Sequence, residues 1–275
     1  MMKKYVYQFE AMTTPCELIL YANNKTLADT SAKAVLNEAK RLEYKYNYFS
    51  QNSVVTQINQ RTLIVLDQET KDILQRAKKY YTETNKVFDI TLATIKNIYV
   101  EEVDSTVLKE KKEHLLTYVG CEHFSIKKNK IYFDNPYTKI DLGGFVKEYV
   151  VDRGVKILKK HKITSALINF GGDIYALGKK PDGEQFRIGI KNPLEPSKYA
   201  CEETLENQAL TTSASYERKN KVGLQMHSHI LSKDKETSLS RSVSVISSNC
   251  VQSGVYATAL MVDLHIKTNH KTIIL

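Results

Sequence analysis

Two glycine pairs, each closing an apolar run, constrain this chain more than anything else in it. One is Gly143-Gly144 in DLGGFVK, the other Gly171-Gly172 in ALINFGGDIYALG. Without a Cβ, backbone amides and carbonyls at such places can approach a ligand closely. A lone pair of this kind is a tight turn or a bulge. Here Phe145, Val146, Tyr149, Val150, Val155 and Leu158 follow the first pair at helical spacing, with Lys147, Glu148, Asp152, Arg153 and Lys156 on the other side. That pattern reads as a strand, Lys139 to Leu142, handing over to a helix N-terminus, whose free amides favour an anion. A phosphate or metal seat is the expectation.

At 275 residues and 42% hydrophobic, the chain can bury a substantial core, as one large domain or two intimately joined lobes. Its formal charge of +9 comes from lysines scattered along the length, which favours an anionic substrate. Nucleic acid is not the expected partner: there is no basic helix interleaved with aromatics, no zinc-finger spacing and no RNA-recognition signature. Cys16, Cys121, Cys201 and Cys250 lie far apart and form no CxxC pair, so neither a zinc site nor a disulfide framework is indicated. The first residues, MMKKYVYQFEAM, lack the apolar run of a signal peptide, and no window approaches a membrane span. The sequence as given reads as cytoplasmic, or as an exported protein trimmed of its signal.

Tyr5 to Tyr21 reads as an opening strand with a turn or bulge at Pro15. Thr26 to Tyr44 is a core-facing helix with Thr26 or Asp29 as cap, and the YKYNYF run that ends at Phe49 is either an aromatic ligand platform or the packing of a helix end. Ser53 to Asn59 suggests a short helix, Thr62 to Leu66 a strand-like run, and Gln68 to Thr84 a helix. Thr91 to Tyr99 is ambiguous, and Glu101 to Lys112 an exposed connection or helix. A hairpin turning at Asn129, a buried strand Ala166 to Phe170, and a hairpin turn at Asp182-Gly183 before Phe186 to Ile190 follow. Leu210 to Ser215, His227 to Leu231 and Ser242 to Ser247 read as strands, Val255 to Val262 as an apolar helix. Mixed strands and helices without a regular βαβ rhythm indicate an α+β fold.

Read together, these segments resemble the FAD:protein FMN transferases, the ApbE-like flavin transferases, over nearly the whole chain. AMTTPCELILYA is similar to the family's MGTP-type strand, YFSQNSVVTQIN to its Ser-to-Asn motif, VFDITL to AFDPT, and DLGGFVKEYVVDR to DLGGIAKGYAVDR. ALINFGGDIYALG, TTSASYER, HSHIL and ATAL follow in the family's order.

The resemblance implies an ApbE-like domain spanning residues 1–275 and a magnesium-dependent transferase. Such an enzyme splits its substrate FAD and moves the FMN part, through a phosphoester, to a threonine of an acceptor flavoprotein. It also implies roles. Met12, Phe49 and Val87-Phe88-Asp89 belong to the flavin and adenine pocket, and Asp141 fixes the nucleotide. Lys147 contacts the phosphates, His229 stands near the transferred phosphate and Leu231 makes the apolar contact two residues on. The Gly144 carbonyl and the Thr258 hydroxyl are metal ligands. Read without the resemblance, Met12 and Phe49 are core residues, His229 a hydrogen-bonded strand histidine and Asp141 a cap on the glycine turn. This chain departs from the family in three places. Gly254 stands where DALAT has its aspartate, Glu148 replaces the small residue of AKG, and HIIDP reads HILSK with Ser232 and Lys233. The chain ends at Leu275, where family members continue into a further strand or two. Magnesium prefers anionic oxygen ligands, so Gly254 sets an alternative beside the enzyme, a flavin-binding protein of the same fold with impaired transfer. Glu148 is a candidate to supply the missing oxygen.

Overall fold

The computed structural model describes residues 2–96, 98, 105–195, 197–214, 219–222, 225–228 and 242–275. The chain opens on β1 (Lys3–Ala11) and β2 (Thr14–Ala22), an antiparallel hairpin with Lys3 opposite Ala22. The single opening strand expected from the sequence is therefore two strands. Their turn, Met12-Thr13, has φ of 56° at both residues, the left-handed pair that suits a two-residue hairpin. Neither residue is one that favours this conformation, which is why the turn was hidden. The Met12 amide donates to Glu43 Oε1 at 2.9 Å and holds the turn to the next element.

That element is α1 (Lys25–Tyr46), capped by Asn24, whose side chain accepts from the Leu27 amide at 2.9 Å, not by Thr26 or Asp29. Short α2 (Val54–Asn59) and α3 (Gln68–Glu83) start at Ser53 and Asp67 caps. The ambiguous segment resolves into a 3₁₀ turn at Ile90–Leu92 and α4 (Ala93–Lys96), and the charge-rich one into α5 (Ser105–Leu116). A small hairpin, β3 (Phe124–Lys127) with β4 (Lys130–Phe133), precedes α6 (Gly143–Lys160). Then come β5 (Ser165–Phe170), β6 (Asp173–Leu177), β7 (Phe186–Lys191), β8 (Tyr199–Leu205), β9 (Gln208–Ala214), β10 (Lys219–Val222), β11 (Gln225–Ser228) and β12 (Ser242–Ser247). The last elements are α7 (Cys250–Val262), capped by Asn249, and β13 (Lys271–Ile274).

Seven strands form one antiparallel sheet in the order β1-β2-β5-β6-β9-β12-β13, an α+β architecture as expected. Helices α1, α6 and α7 pack on one face. The β7–β8 hairpin covers the other, through Phe186, Ile188, Ile190 and Leu205. Strand β6 is buried at every position because both faces are covered: Tyr175 and Leu177 join the helix-side core, Ile174 and Ala176 the hairpin side.

Four expectations need correction. Lys139–Leu142 is not a strand: side chains replace the sheet partner. Asn59 Oδ1 accepts from the Ile140 amide and Asn59 Nδ2 donates to the Ile140 carbonyl, both at 2.8 Å, and Thr94 Oγ1 accepts from the Lys139 amide at 3.0 Å. The Asp182-Gly183 turn does not join two paired strands, because β7 pairs with β8 and not with β6. Strand β8, ACEETL in its body, was unread because its polar residues face outward at the margin of the fold. Helix α7 begins at Cys250, earlier than Val255, since Asn249 supplies the cap. The expected His227–Leu231 strand falls partly on residues outside those described, which include 229–231.

Beneath α1, Glu69 receives the Arg41 guanidinium through two bonds of 2.7 and 2.9 Å and the Lys45 ammonium at 2.7 Å. Burial alone would raise its pKa, but these partners win and hold it at about 2 instead of 4.5. The stability this contributes is therefore complete above pH 4.5 and is lost as pH falls toward 2. Glu69→Gln is expected to lower the urea midpoint at pH 7 by an amount equivalent to about 1 kcal/mol. The difference from wild type should shrink at pH 3, and a difference independent of pH would contradict the assignment.

Candidate functional site at the glycine end of the sheet

The strand registers bring the two glycine pairs to one end of the molecule. The Met12-Thr13 turn and the Gly171-Gly172 turn adjoin, because β2 pairs with β5 and the Gly171 amide donates to the Pro15 carbonyl at 3.0 Å. Gly171 (φ +58°) leaves no space for a side chain, since a Cβ would overlap Thr14 Oγ1; Gly172 (φ +95°) faces open space. Asn169 Oδ1 accepts from the Gly172 amide at 2.9 Å and fixes the turn. The far end of β9, with Ser213, reaches the same edge, since Leu210 is already opposite Ile174 at the start of β6.

Helix α6 starts here. The Asp141 amide is bound by the Ile90 carbonyl at 2.8 Å, and Asp141 Oδ1 accepts from the Gly143 amide at 2.8 Å. Asp141 is thus a cap of the glycine turn. Its other oxygen takes the Lys96 ammonium at 2.6 Å. Lys96 also lies over the rings of Tyr48 and Phe49, 4.7 and 5.0 Å from their centroids. Phe49 is 79% exposed, so it is not a core residue. An exposed aromatic ring with a cation over it and a carboxylate beyond is suited to stacking. Lys96 escaped the sequence reading because it ends a segment whose period was ambiguous.

The other expected pocket residues are placed differently. Phe88 is buried against Phe145, Val87 is half-buried, and Asp89 accepts from the Thr91 amide and hydroxyl at 2.7 and 2.6 Å. Met12 is half-buried and packs on the main core. His229 and Leu231, with Ser232 and Lys233, lie outside the described residues.

One turn into α6, the Lys147 ammonium meets Asp173 Oδ2 at 2.6 Å. Asp173 opens β6 directly after the second glycine pair, so this ion pair ties the two glycine turns together. Glu148, read from the sequence as a residue of the polar side, is buried at 6% exposure. Its Oε2 has no hydrogen-bond partner among the described residues. Burial, and then the Asp173 carboxylate, push its pKa well above the ordinary carboxylate range, against the opposing pull of Lys147.

Glu148 lies across Gly254 of α7. A Cβ built there would stand 2.6 Å from Glu148 Cγ and 2.8 Å from its Oε1. One turn further from the site, Asp152 accepts from the Cys250 and Val251 amides at 2.7 and 3.2 Å and caps α7. These contacts set an antiparallel register between α6 and α7. Gly144 is one turn before Glu148 on α6, and Thr258 one turn after Gly254 on α7. Gly144 departs from helical geometry (φ −88°, ψ 15°), and a Cβ there would meet nothing within 4 Å. Thr258 Oγ1 is 3.1 Å from Ser213 Oγ, so the hydroxyl belongs to the same edge.

A buried carboxylate oxygen without a partner, a hydroxyl and a kinked main chain form a hard oxygen set that fits magnesium. Among the described residues, no group of three His, Cys, Asp or Glu side chains is placed to hold a metal ion. A cation here would therefore depend on few carboxylates and on neutral oxygens, as magnesium sites commonly do.

Fold and site together define an α+β protein with one edge where two glycine turns, a lysine and a buried glutamate meet. The chain belongs to the ApbE family, whose pattern matches residues 12–268. It is 24% identical over 275 residues to the FAD:protein FMN transferase of Klebsiella pneumoniae (strain 342), covering 93% of this chain and 81% of that one. Among solved structures it is similar to the ApbE protein of Thermotoga maritima, with a TM-score of 0.87, 24% identity and coverage of 99% and 94%. It is similar also to the flavin transferase ApbE of Vibrio cholerae, with a TM-score of 0.80, 19% identity and coverage of 100% and 97%. Among the described residues, no helix is long and apolar enough to cross a membrane.

Proposed function

We propose that this chain is an FAD:protein FMN transferase, which takes FAD as substrate and passes its FMN part to a threonine hydroxyl of an acceptor flavoprotein with magnesium bound. The observation that supports the reading is the Lys147–Asp173 pair joining the two glycine turns, with the Thr258 hydroxyl beside Ser213 and the kinked main chain at Gly144 supplying the kinds of oxygen that a diphosphate's cation requires. The family membership and the names of the curated relatives support it.

In this reading the isoalloxazine and adenine rings lie against Phe49 and the half-buried Met12 and Val87, with Leu231 as an apolar contact; Phe88 and Asp89 support the pocket from behind. Asp141 and Lys96 hold the nucleotide beside the aromatic platform. Lys147 faces the phosphates and His229 stands near the phosphate that moves. The Gly144 carbonyl and the Thr258 hydroxyl would hold magnesium, which when bound would supply charge neutralisation for the pyrophosphate. A threonine Oγ–P bond forms as the hydroxyl O–H bond and a P–O bond of the pyrophosphate break, and AMP and the proton leave. Such a displacement needs positioning and charge stabilisation, not a nucleophile on the transferase.

The test is incubation with FAD, magnesium and an acceptor bearing a target threonine. A fluorescent band that survives a denaturing gel is expected, and no band under varied divalent metals would overturn the reading. One observation favours a second reading, a flavin-binding protein without transfer: Gly254 stands at the family's aspartate position. That version predicts FAD binding without a band. Phe49→Ala is expected to weaken FAD binding about tenfold or more in either case, given about 1–3 kcal/mol for stacking a base on an aromatic ring. Unchanged affinity in a fluorescence titration would remove Phe49 from the pocket.

A further inference from the structure

We propose that Glu148 is the carboxylate ligand of a divalent cation in this chain, bound together with Thr258 and the main chain at Gly144, and that residue 254 is glycine because the Glu148 side chain crosses it. Three observations carry this. Glu148 is 6% exposed and its Oε2 has no hydrogen-bond partner among the described residues, a costly state unless a ligand supplies one. Its carboxylate leans onto α7 over Gly254, one turn before Thr258 on the same helix face, while on α6 it lies one turn after Gly144. The oxygens of both helices therefore come from matched turns of an antiparallel pair.

The charges around Glu148 point the same way. Asp152 is engaged with the α7 amides, at 2.7 and 3.2 Å. Lys147 is 2.6 Å from Asp173 Oδ2. The hard oxygen set selects magnesium or manganese over a softer ion.

Gly254 has a steric explanation on this view. Any side chain at 254 would begin within 3.0 Å of Glu148 atoms, so with Glu148 in this position a carboxylate reaches this space from α6 and a side chain from α7 would have to displace it. The proposal shares the cation with the function proposed above, but the site itself rests on contacts within this chain.

The experiment is a Mn²⁺ titration of the full chain, alone and with FAD, followed by the electron paramagnetic resonance of free Mn²⁺. Wild type is expected to take up one ion, and Glu148→Gln, of nearly the same shape, to bind it at least about tenfold more weakly with its circular dichroism and melting temperature retained. The exchange variant Glu148→Gly/Gly254→Asp, which returns a carboxylate from α7, should recover most of the affinity. Glu148→Gln with wild-type Mn²⁺ affinity overturns the inference, as does wild type that takes up no ion even with FAD. Flavinylation is scored separately. Transfer with no Mn²⁺ effect at Glu148 sinks the ligand and leaves the function, whereas Mn²⁺ held through Glu148 without transfer sinks the function and leaves the ligand.

Discussion

Lys147→Met is expected to destabilise the protein by about 3 kcal/mol and to weaken FAD binding in the same variant. The stability loss follows from burial. Asp173 has a side-chain exposure of 2%, Lys147 of 21%, and their charges meet at 2.6 Å. Removing the ammonium leaves a carboxylate in the protein interior without this counter-charge, and breaking such a pair costs about 3–5 kcal/mol. The lower end applies because Lys147 is not fully enclosed. The reverse change should be milder: Asp173→Asn leaves an ammonium that can still reach water, at a cost of about 1 kcal/mol. Urea melts of the two single variants and the double variant measure this asymmetry, and equal losses would show that the pair does not act as described. If Lys147 also faces the diphosphate, its loss reduces FAD affinity while Asp173→Asn frees the ammonium and does not. Unchanged affinity in Lys147→Met would remove it from the phosphate contacts.

Gly171→Ala is the second large effect. At φ +58°, an alanine pays about 1–2 kcal/mol for the left-handed backbone. Its Cβ would also overlap Thr14 Oγ1, and relieving such crowding costs a further ~1–3 kcal/mol. A total of about 2–5 kcal/mol, read as a lowered melting temperature, is expected. The neighbouring Gly172→Ala should cost only the backbone part, since open space surrounds that position. Adding Thr14→Ala should recover part of the loss in Gly171→Ala but none in Gly172→Ala. No recovery would mean that the overlap is absorbed elsewhere.

The regular part of the fold was legible because its periods are clean. Val35, Ala39 and Leu42 on α1, Ile73, Leu74 and Ala77 on α3, and the run of β5 all turn inward as the pattern requires. What escaped reading depends on partners distant in sequence. Lys139–Leu142 has the composition of a strand, and only Asn59 and Thr94, far upstream, decide that its backbone is met by side chains. Met12-Thr13 is a hairpin turn without a turn residue, stabilised by Glu43 on the next helix. In the site, Asp141 and Thr258 could be named from local motifs, but Lys96, Ser213 and Asp173 acquire their roles only when three separate segments meet. Glu148 was misread for a definite reason. Helical spacing placed it with the charged residues facing solvent, and nothing in α6 itself shows that α7 offers a side-chain-free groove there.

The contact between Glu148 and Gly254 also limits how such a sequence can change. A larger residue at 254 requires the glutamate side chain to move away, and a smaller one at 148 leaves a hole over the glycine. A scan that compares relatives column by column would score this chain as missing an acid. Treating the two columns as a single address, filled from whichever helix supplies the side chain, would keep it among the intact members.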